Sequence, residues 1–256
     1  MLTAYDYPLG YLVDKAGIDI ILVGDSLANV VLGLDSTTKV GMSEMLTAAK
    51  AVTRAVKHAL VIGDMPYDSY QVNTEESVKN AKRFIDEARC DAVKLEWFDK
   101  CLEVAEKIIK AGIPVMGHIG LTPQTAEKIG GFKVQGKDAE AAQRLIEQAA
   151  ALEKLGCFSL VLECVPDRIA EIITKKIKIP TIGIGAGPYC DGQVLVIHDM
   201  LGLFARYTPK FVKKYIDLSP LIAQALEKYK DEVIGVEFPD AGHSFTIKEE
   251  ELKKLK

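Results

Sequence analysis

The sequence predicts a (β/α)8 barrel, and three observations predict it. Strand-like and helix-like segments alternate along the chain, which implies a parallel sheet. The strand candidates are continuous apolar runs, as expected of strands covered on both faces. Eight such units, counting the first, fit 256 residues, close to the ~250 typical of a closed barrel. A doubly wound open sheet is the rival. It calls for a G-x-G-x-x-G turn after the first strand, and none is present. The G-I-G-A-G of Gly183–Gly187 follows a late strand and lacks that spacing. No shift in composition marks a boundary, so residues 1–256 read as one barrel domain.

Met1–Tyr5 is a short apolar start and the first strand candidate. Pro8–Gly17 reads as a helix, with Leu9, Leu12 and Val13 on one face and Gly17 at its end. The apolar run Ile18–Gly24 is a strand, and Leu27–Lys39 a polar loop. Ser43–Lys57 is helical, with Ser43 as its cap. Leu60–Asp64 is a strand and Met65–Val72 a loop. Thr74 opens a helix to about Ala88, with two acids in the first turn suiting the positive end of its dipole. Val93–Glu96 is a strand, Lys100–Ala111 a helix, Pro114–Ile119 a strand and Gly120–Gly136 a loop. Asp138–Leu155 is an alanine-rich helix stopped by Gly156, followed by strand Ser159–Glu163 and helix Pro166–Lys175. Thr181–Ile184 and Gln193–His198 are the last strands. Lys210–Tyr215, Ser219–Lys230 and Lys248–Lys256 read as helical.

Composition excludes several functions. Net charge is −4, so no basic nucleic-acid footprint is present. No apolar run approaches the roughly 20 residues of a membrane span. No signal-peptide pattern opens the chain, which makes the cytoplasm the default. The five cysteines are odd in number and form no C-x-x-C pair. They read as reduced packing residues rather than a disulfide or zinc framework. The four histidines are scattered, with no metal-binding spacing.

The chemistry sits where the strands end. Side chains at the C-terminal ends of barrel strands converge on one mouth. That mouth receives Asp25, Ser26, Asp64, Lys94, Glu96, His118 and Glu163. One acid ending a strand is ordinarily a helix cap or a solvated loop residue. Here Asp25, Asp64 and Glu96 end three successive interior strands, and together they repel unless a cation lies between them. Hard oxygen ligands favour Mg2+ or a similar ion. Lys94 and Glu96 lie two apart in one strand and point the same way. Lys94 is then either the buried partner of Glu96 or a group for an anionic ligand. His118 is either a satisfied core histidine or a site residue. Glu163 in an apolar mouth has a raised pKa, suited to proton transfer. His198-Asp199, at the end of the last expected strand, reads as structural. The 132–136 loop is either a lid or a solvated loop, and Gly183–Gly187 either admits a ligand or turns the chain tightly. These residues describe a metal-assisted enzyme with a carboxylate base and a lysine for an anionic substrate. A 2-oxo acid suits such a cation, which acidifies the carbon next to the keto group by stabilising the enolate.

The motifs resemble the ketopantoate hydroxymethyltransferase family over nearly the whole chain. They are T-A-Y-D-Y at Thr3–Tyr7, V-G-D-S at Val23–Ser26, G-x-D-S-T at Gly33–Thr37 and G-H-I-G-L-T-P-Q at Gly117–Gln124. Further on come G-G-F-K-V-Q-G at Gly130–Gly136, L-V-L-E-C-V-P at Leu160–Pro166, I-G-I-G-A-G at Ile182–Gly187, D-G-Q at Asp191–Gln193 and H-D at His198–Asp199. The resemblance implies a barrel of the phosphoenolpyruvate/pyruvate type, usually a homodecamer. It implies one-carbon transfer from 5,10-methylenetetrahydrofolate to 3-methyl-2-oxobutanoate, giving 2-dehydropantoate on the pantothenate route. Carried onto this sequence, it has Asp25, Asp64 and Glu96 hold one Mg2+ per subunit, directly or through water. Asp25, Ser26, Asp64 and Lys94 contact the oxo acid, His118 lines the site, and Glu163 is the base for the C3 proton. The family usually carries a further segment, including a helix, before T-A-Y-D-Y, so the N-terminus reads as short. Three other readings stay open beside the transferase: a metal-dependent aldolase or lyase on a 2-oxo acid, a non-catalytic metabolite-binding barrel, and a Schiff-base enzyme acting through Lys94.

Overall fold

The structure is a computed structural model. It describes residues 1–129, 131, 133–204, 206 and 208–255, with the backbone alone at 127–129. Phe132, in the expected lid loop, and Gly130, Ala205, Tyr207 and Lys256 lie outside the described residues.

Strand β1 (Leu2–Thr3) leads through helix α1 (Tyr7–Lys15) to β2 (Ile20–Val23). Short α2 (Leu27–Val30) and longer α3 (Met42–Ala55) precede β3 (Leu60–Asp64). Helices α4 (Tyr67–Tyr70) and α5 (Thr74–Asp86) lead to β4 (Ala92–Glu96), and α6 (Cys101–Lys110) to β5 (Val115–Gly120). Then follow α7 (Ala139–Leu155), β6 (Ser159–Glu163), α8 (Asp167–Lys176), β7 (Thr181–Ile184) and β8 (Gly192–Gln193). Helices α9 (Ile197–Met200), α10 (Leu218–Ile234) and α11 (Glu249–Leu252) complete the chain. The eight strands are parallel and pair in sequence order. The ring closes where Leu2 bridges Leu195 and the Thr3 amide donates to the Leu195 carbonyl at 3.2 Å. This is the expected (β/α)8 barrel.

Side-chain alternation divides each strand between two cores. Leu22, Ile62, Ala92, Met116, Val161, Ile182 and Val194 point inward and form an apolar plug inside the barrel. Ile21, Val61, Val93, Val115 and Leu160 point outward, into the larger core between sheet and helices. Two residues beyond the plug, the same inward face carries Asp64, Lys94, His118 and Glu163. The register sets Asp64 beside Lys94, Glu96 beside His118, and Gly120 beside Glu163. The plug thus forms the floor of the polar mouth.

Several elements differ from expectation. The last strand stops at Gln193, because the Ile197 amide turns aside to the Thr3 hydroxyl at 3.0 Å and α9 begins. His198 and Asp199 therefore lie in a short helix, not at a strand end. Residues 210–215 form no helix: the Tyr215 amide donates to the Met200 carbonyl, which pins the segment against α9. Gly41, not Ser43, precedes α3, its amide donating to Glu44. Asn73, not Thr74, caps α5 by accepting from the Glu76 amide at 2.8 Å. The loops expected at 27–39 and 65–72 contain α2 and α4, and the loop after β5 contains 3-10 turns over Pro123–Ile129. Helix α10 buries none of its residues, and Leu221, Leu226 and Tyr229 on it stand exposed. Among the described residues no helix is long and apolar enough to cross a membrane.

Candidate active site

Lys94 and Asp64 form the centre of the mouth. Their inward positions on neighbouring strands place Lys94 Nζ 2.7 Å from Asp64 Oδ1, with side chains 4% and 2% exposed. Burial alone lowers a lysine pKa, but Asp64, Glu96 and Asp25 outweigh it, so the Lys94 pKa is raised. Burial pushes the Asp64 carboxyl up to about 7, against the pull of Lys94. Lys94 is thus held as the ion-pair partner of Asp64. Its partner is Asp64, not the Glu96 that its own strand suggested.

The other two acids meet through Gln124. Its side-chain nitrogen donates to Asp25 Oδ2 at 2.9 Å and to the Met65 carbonyl at 3.1 Å. Its backbone amide donates to Glu96 Oε2 at 3.0 Å. Its side-chain oxygen accepts from the Tyr70 hydroxyl at 2.5 Å. The Asp25 amide donates to Asp64 Oδ2 at 3.2 Å, which ties the third acid to the group. Burial raises the Glu96 pKa well above the ordinary carboxylate value, opposed by Lys94.

His118 stands between two acids. Nε2 is 3.2 Å from Glu163 Oε2, and Nδ1 is 3.5 Å from Glu96 Oε1. Both ring nitrogens are buried, and neither finds a hydrogen-bond partner among the described residues. Burial, reinforced by Lys94, holds the His118 pKa well below its ordinary value, so the ring is neutral. Glu163 keeps 16% side-chain exposure at the open edge of the mouth. Burial pushes its carboxyl up to about 8, with Lys94 lowering it and Asp25 raising it. A carboxyl with that pKa exchanges protons near neutrality.

The donor set fits a hard divalent cation. Asp25, Asp64 and Glu96 bring acceptor oxygens to one place where charge is costly. Among the described residues no three His, Cys, Asp or Glu side chains stand close enough to hold a metal ion by themselves. Mg2+ does not need that, since it keeps several waters and binds through one or two carboxylates plus substrate.

The remaining sequence candidates are placed as follows. The Ser26 hydroxyl lies 2.8 Å from the Tyr5 hydroxyl at the rim. The five cysteines are free, and burial pushes the Cys164 thiol up to about 11, so it packs rather than attacks. Gly187 has φ +75, and a Cβ there would lie 2.4 Å from Asp167 Cβ, which explains its glycine by a tight turn. His198 packs against Tyr5 with ring centroids 5.4 Å apart, outside the charged group. Beside the mouth, between the end of β5 and α7, is a cavity of about 430 Å3 lined by Gln71, Trp97, Gly120, Thr122, Gln135 and Arg144 among others.

Sequence reasoning missed Gln124 and Tyr70. Tyr70 ends the short helix α4 and Gln124 lies in the 3-10 turns after β5, where no strand register points to the mouth. Gln124 ends the motif G-H-I-G-L-T-P-Q, and that was its only signal.

Three comparisons bear on this site. A family model described as ketopantoate hydroxymethyltransferase matches residues 1–241. A 3-methyl-2-oxobutanoate hydroxymethyltransferase of Syntrophomonas wolfei is 58% identical over 255 residues, covering 100% of this chain and 92% of that protein. Among solved structures, a phosphonopyruvate hydrolase in complex with oxalate and Mg2+ matches with TM-score 0.59 at 13% identity, over 94% of this chain and 87% of that one. A 2,3-dimethylmalate lyase, described as a member of the PEP mutase/isocitrate lyase superfamily, matches with TM-score 0.60 at 13% identity, over 99% and 87%. The two solved structures bear on the fold alone.

Proposed function

The chain belongs to the ketopantoate hydroxymethyltransferase family of transferases, and from that premise we propose that it transfers a hydroxymethyl (one-carbon) group from 5,10-methylenetetrahydrofolate to 3-methyl-2-oxobutanoate. The product is 2-dehydropantoate, on the route to pantothenate and coenzyme A. The observation that carries this reading is the meeting of Glu163, His118, Lys94, Asp64 and Asp25 at one barrel mouth.

Asp25, Asp64 and Glu96 would hold one Mg2+, directly or through water. When bound, the cation would supply positive charge that offsets the negative charge building on the oxo acid as C3 loses its proton. Lys94, held by Asp64, attracts the substrate carboxylate, with Ser26 at the rim. Glu163 takes the C3 proton, and its raised pKa suits a base that must accept and later release a proton near neutral pH. His118 lines the site, its Nε2 3.2 Å from the Glu163 carboxyl. The C3 carbon then bonds to the methylene carbon of the folate as one C–N bond of that carbon breaks, and water displaces the second nitrogen, leaving CH2OH on C3 and releasing tetrahydrofolate, whose nitrogens take up the protons.

The protein assembles as a homo-oligomer, a decamer by family resemblance. The uncovered apolar residues of α10 support self-association, since large exposed apolar patches mark interfaces. Five unpaired cysteines suit a reducing, cytoplasmic setting.

The test is deuterium exchange at C3 of 3-methyl-2-oxobutanoate with Mg2+ and without folate. Exchange that needs Mg2+ and vanishes in Glu163→Gln supports the reading, and unchanged exchange in that variant removes Glu163 as the base. Turnover of the oxo acid without a folate donor instead indicates a lyase.

A further inference from the structure

Gln124 has no role in the chemistry above, yet its side chain is fully committed in the mouth. It is 4% exposed. Burying a primary amide is costly unless its donors and acceptor are met. Here both side-chain donor contacts end on oxygens of the site, Asp25 Oδ2 and the Met65 carbonyl. The amide oxygen takes the Tyr70 hydroxyl. A carbonyl oxygen only accepts, so the nitrogen end must face Met65 and Asp25, and the orientation of the amide is fixed. The backbone of the same residue donates to Glu96. One residue, 99 positions from Asp25 and 28 from Glu96, therefore joins two carboxylates that start from different strands.

Lys94 does not do this, because it donates to Asp64. Gln124 is the neutral group between the other two acids. It engages Oδ2 of Asp25 and leaves the second oxygen of that carboxylate to point elsewhere. We propose that Gln124 is a positioning residue: it fixes the Asp25 and Glu96 carboxylates in the orientations that receive a divalent cation and the 2-oxo acid, and Tyr70 holds Gln124 in place. The proposal rests on the function given in the preceding subsection. Hydrogen bonds to ligating carboxylates orient them, and their loss typically weakens metal binding about 10–100-fold.

The test measures Mg2+ affinity by calorimetry, without folate, on the full chain. It compares wild type with Gln124→Met, Tyr70→Phe, the double variant and Thr53→Val, and records melting temperature and C3 exchange for each. Methionine keeps the length and packing of the side chain and removes the amide. Thr53 donates to the Ala88 carbonyl in the helix layer, so Thr53→Val reports the effect of lost stability alone. Gln124→Met is expected to lose about 10–100-fold in Mg2+ affinity and Tyr70→Phe less. The double variant is expected to bind as Gln124→Met does, since Tyr70 acts through Gln124. Thr53→Val melts lower and binds Mg2+ normally. Wild-type affinity in Gln124→Met, whatever its melting temperature, overturns the proposal. Should that variant not fold, wild-type affinity in Tyr70→Phe overturns it. If wild type exchanges C3 deuterium and Gln124→Met does so equally, only the role of Gln124 falls. If wild type binds no Mg2+ and exchanges nothing, the proposed function falls with it.

Discussion

Lys94 on β4 and Asp64 on β3 are register partners, and their side chains bond at 2.7 Å in the floor of the mouth. Removing one partner leaves the other charge buried and alone, at a cost of about 3–5 kcal/mol. Lys94→Met and Asp64→Asn are each expected to lower stability by that order in urea titrations. The double variant is expected to recover part of the loss, because no lone charge remains. If each single variant costs under about 1 kcal/mol, in the range of a surface pair, the pair is not the structural centre of the mouth.

Gly120 is the residue of β5 beside Glu163. Its φ is +96, and a Cβ there would lie 2.3 Å from the Glu163 carbonyl oxygen. A side chain must push the backbone that carries the base. Gly120→Ala is expected to destabilise by about 1–3 kcal/mol from backbone conformation alone, and to slow C3 exchange more than it lowers the melting temperature. Equal exchange per folded molecule would show that Glu163 keeps its place without glycine.

The barrel was legible because its signals repeat. Apolar runs such as Leu60–Asp64 and Ser159–Glu163 are strands end to end, and one inward face carries both plug and charge. Thus Asp64, Lys94, Glu96, His118 and Glu163 were readable from strand ends alone. Pairing was not. Lys94 could reach Glu96 along its strand or Asp64 across the sheet, and only the register decides. The last strand failed for a similar reason: Val194–Ile197 is as apolar as a strand, but Thr3 takes the Ile197 amide. That contact joins residues 194 positions apart where the barrel closes, and it has no local signature. Gln124 and Tyr70 arrive from short turns and a four-residue helix between strands, where spacing carries no direction.

Helix α10 presents Leu221, Leu226 and Tyr229 with more than half of each side chain's surface exposed. In a self-associated form these residues are covered. Leu226→Glu places a charge on that face, where burial is costly. The variant is expected to sediment as a smaller species than wild type while its far-ultraviolet dichroism is unchanged. Sedimentation identical to wild type would remove α10 from the interface.

Glu163 links catalysis to stability through pH. Its carboxyl is ordinary in the unfolded chain, near 4.5, and about 8 in the fold. Between those values the folded protein keeps a proton that the unfolded chain has released. The stabilising effect is therefore complete below about 4.5 and is lost as pH rises through about 8. The groups facing this carboxyl are His118, which stays neutral, together with Lys94 and Asp25; Glu96 sits behind His118. Glu163→Gln removes the titration while leaving its neighbours. The variant is expected to gain stability relative to wild type as pH is raised from 5, with the gain accruing between about 4.5 and 8 and levelling off above 8. C3 exchange in wild type is expected to rise with pH toward about 8, as the base form appears. In the variant it is expected to fall about 10²–10⁴-fold and to lose that rise. A stability difference flat from pH 5 to 9 would show an ordinary carboxyl, and the buried-base reading of Glu163 would then fail on its own measurement, whatever the exchange rates are.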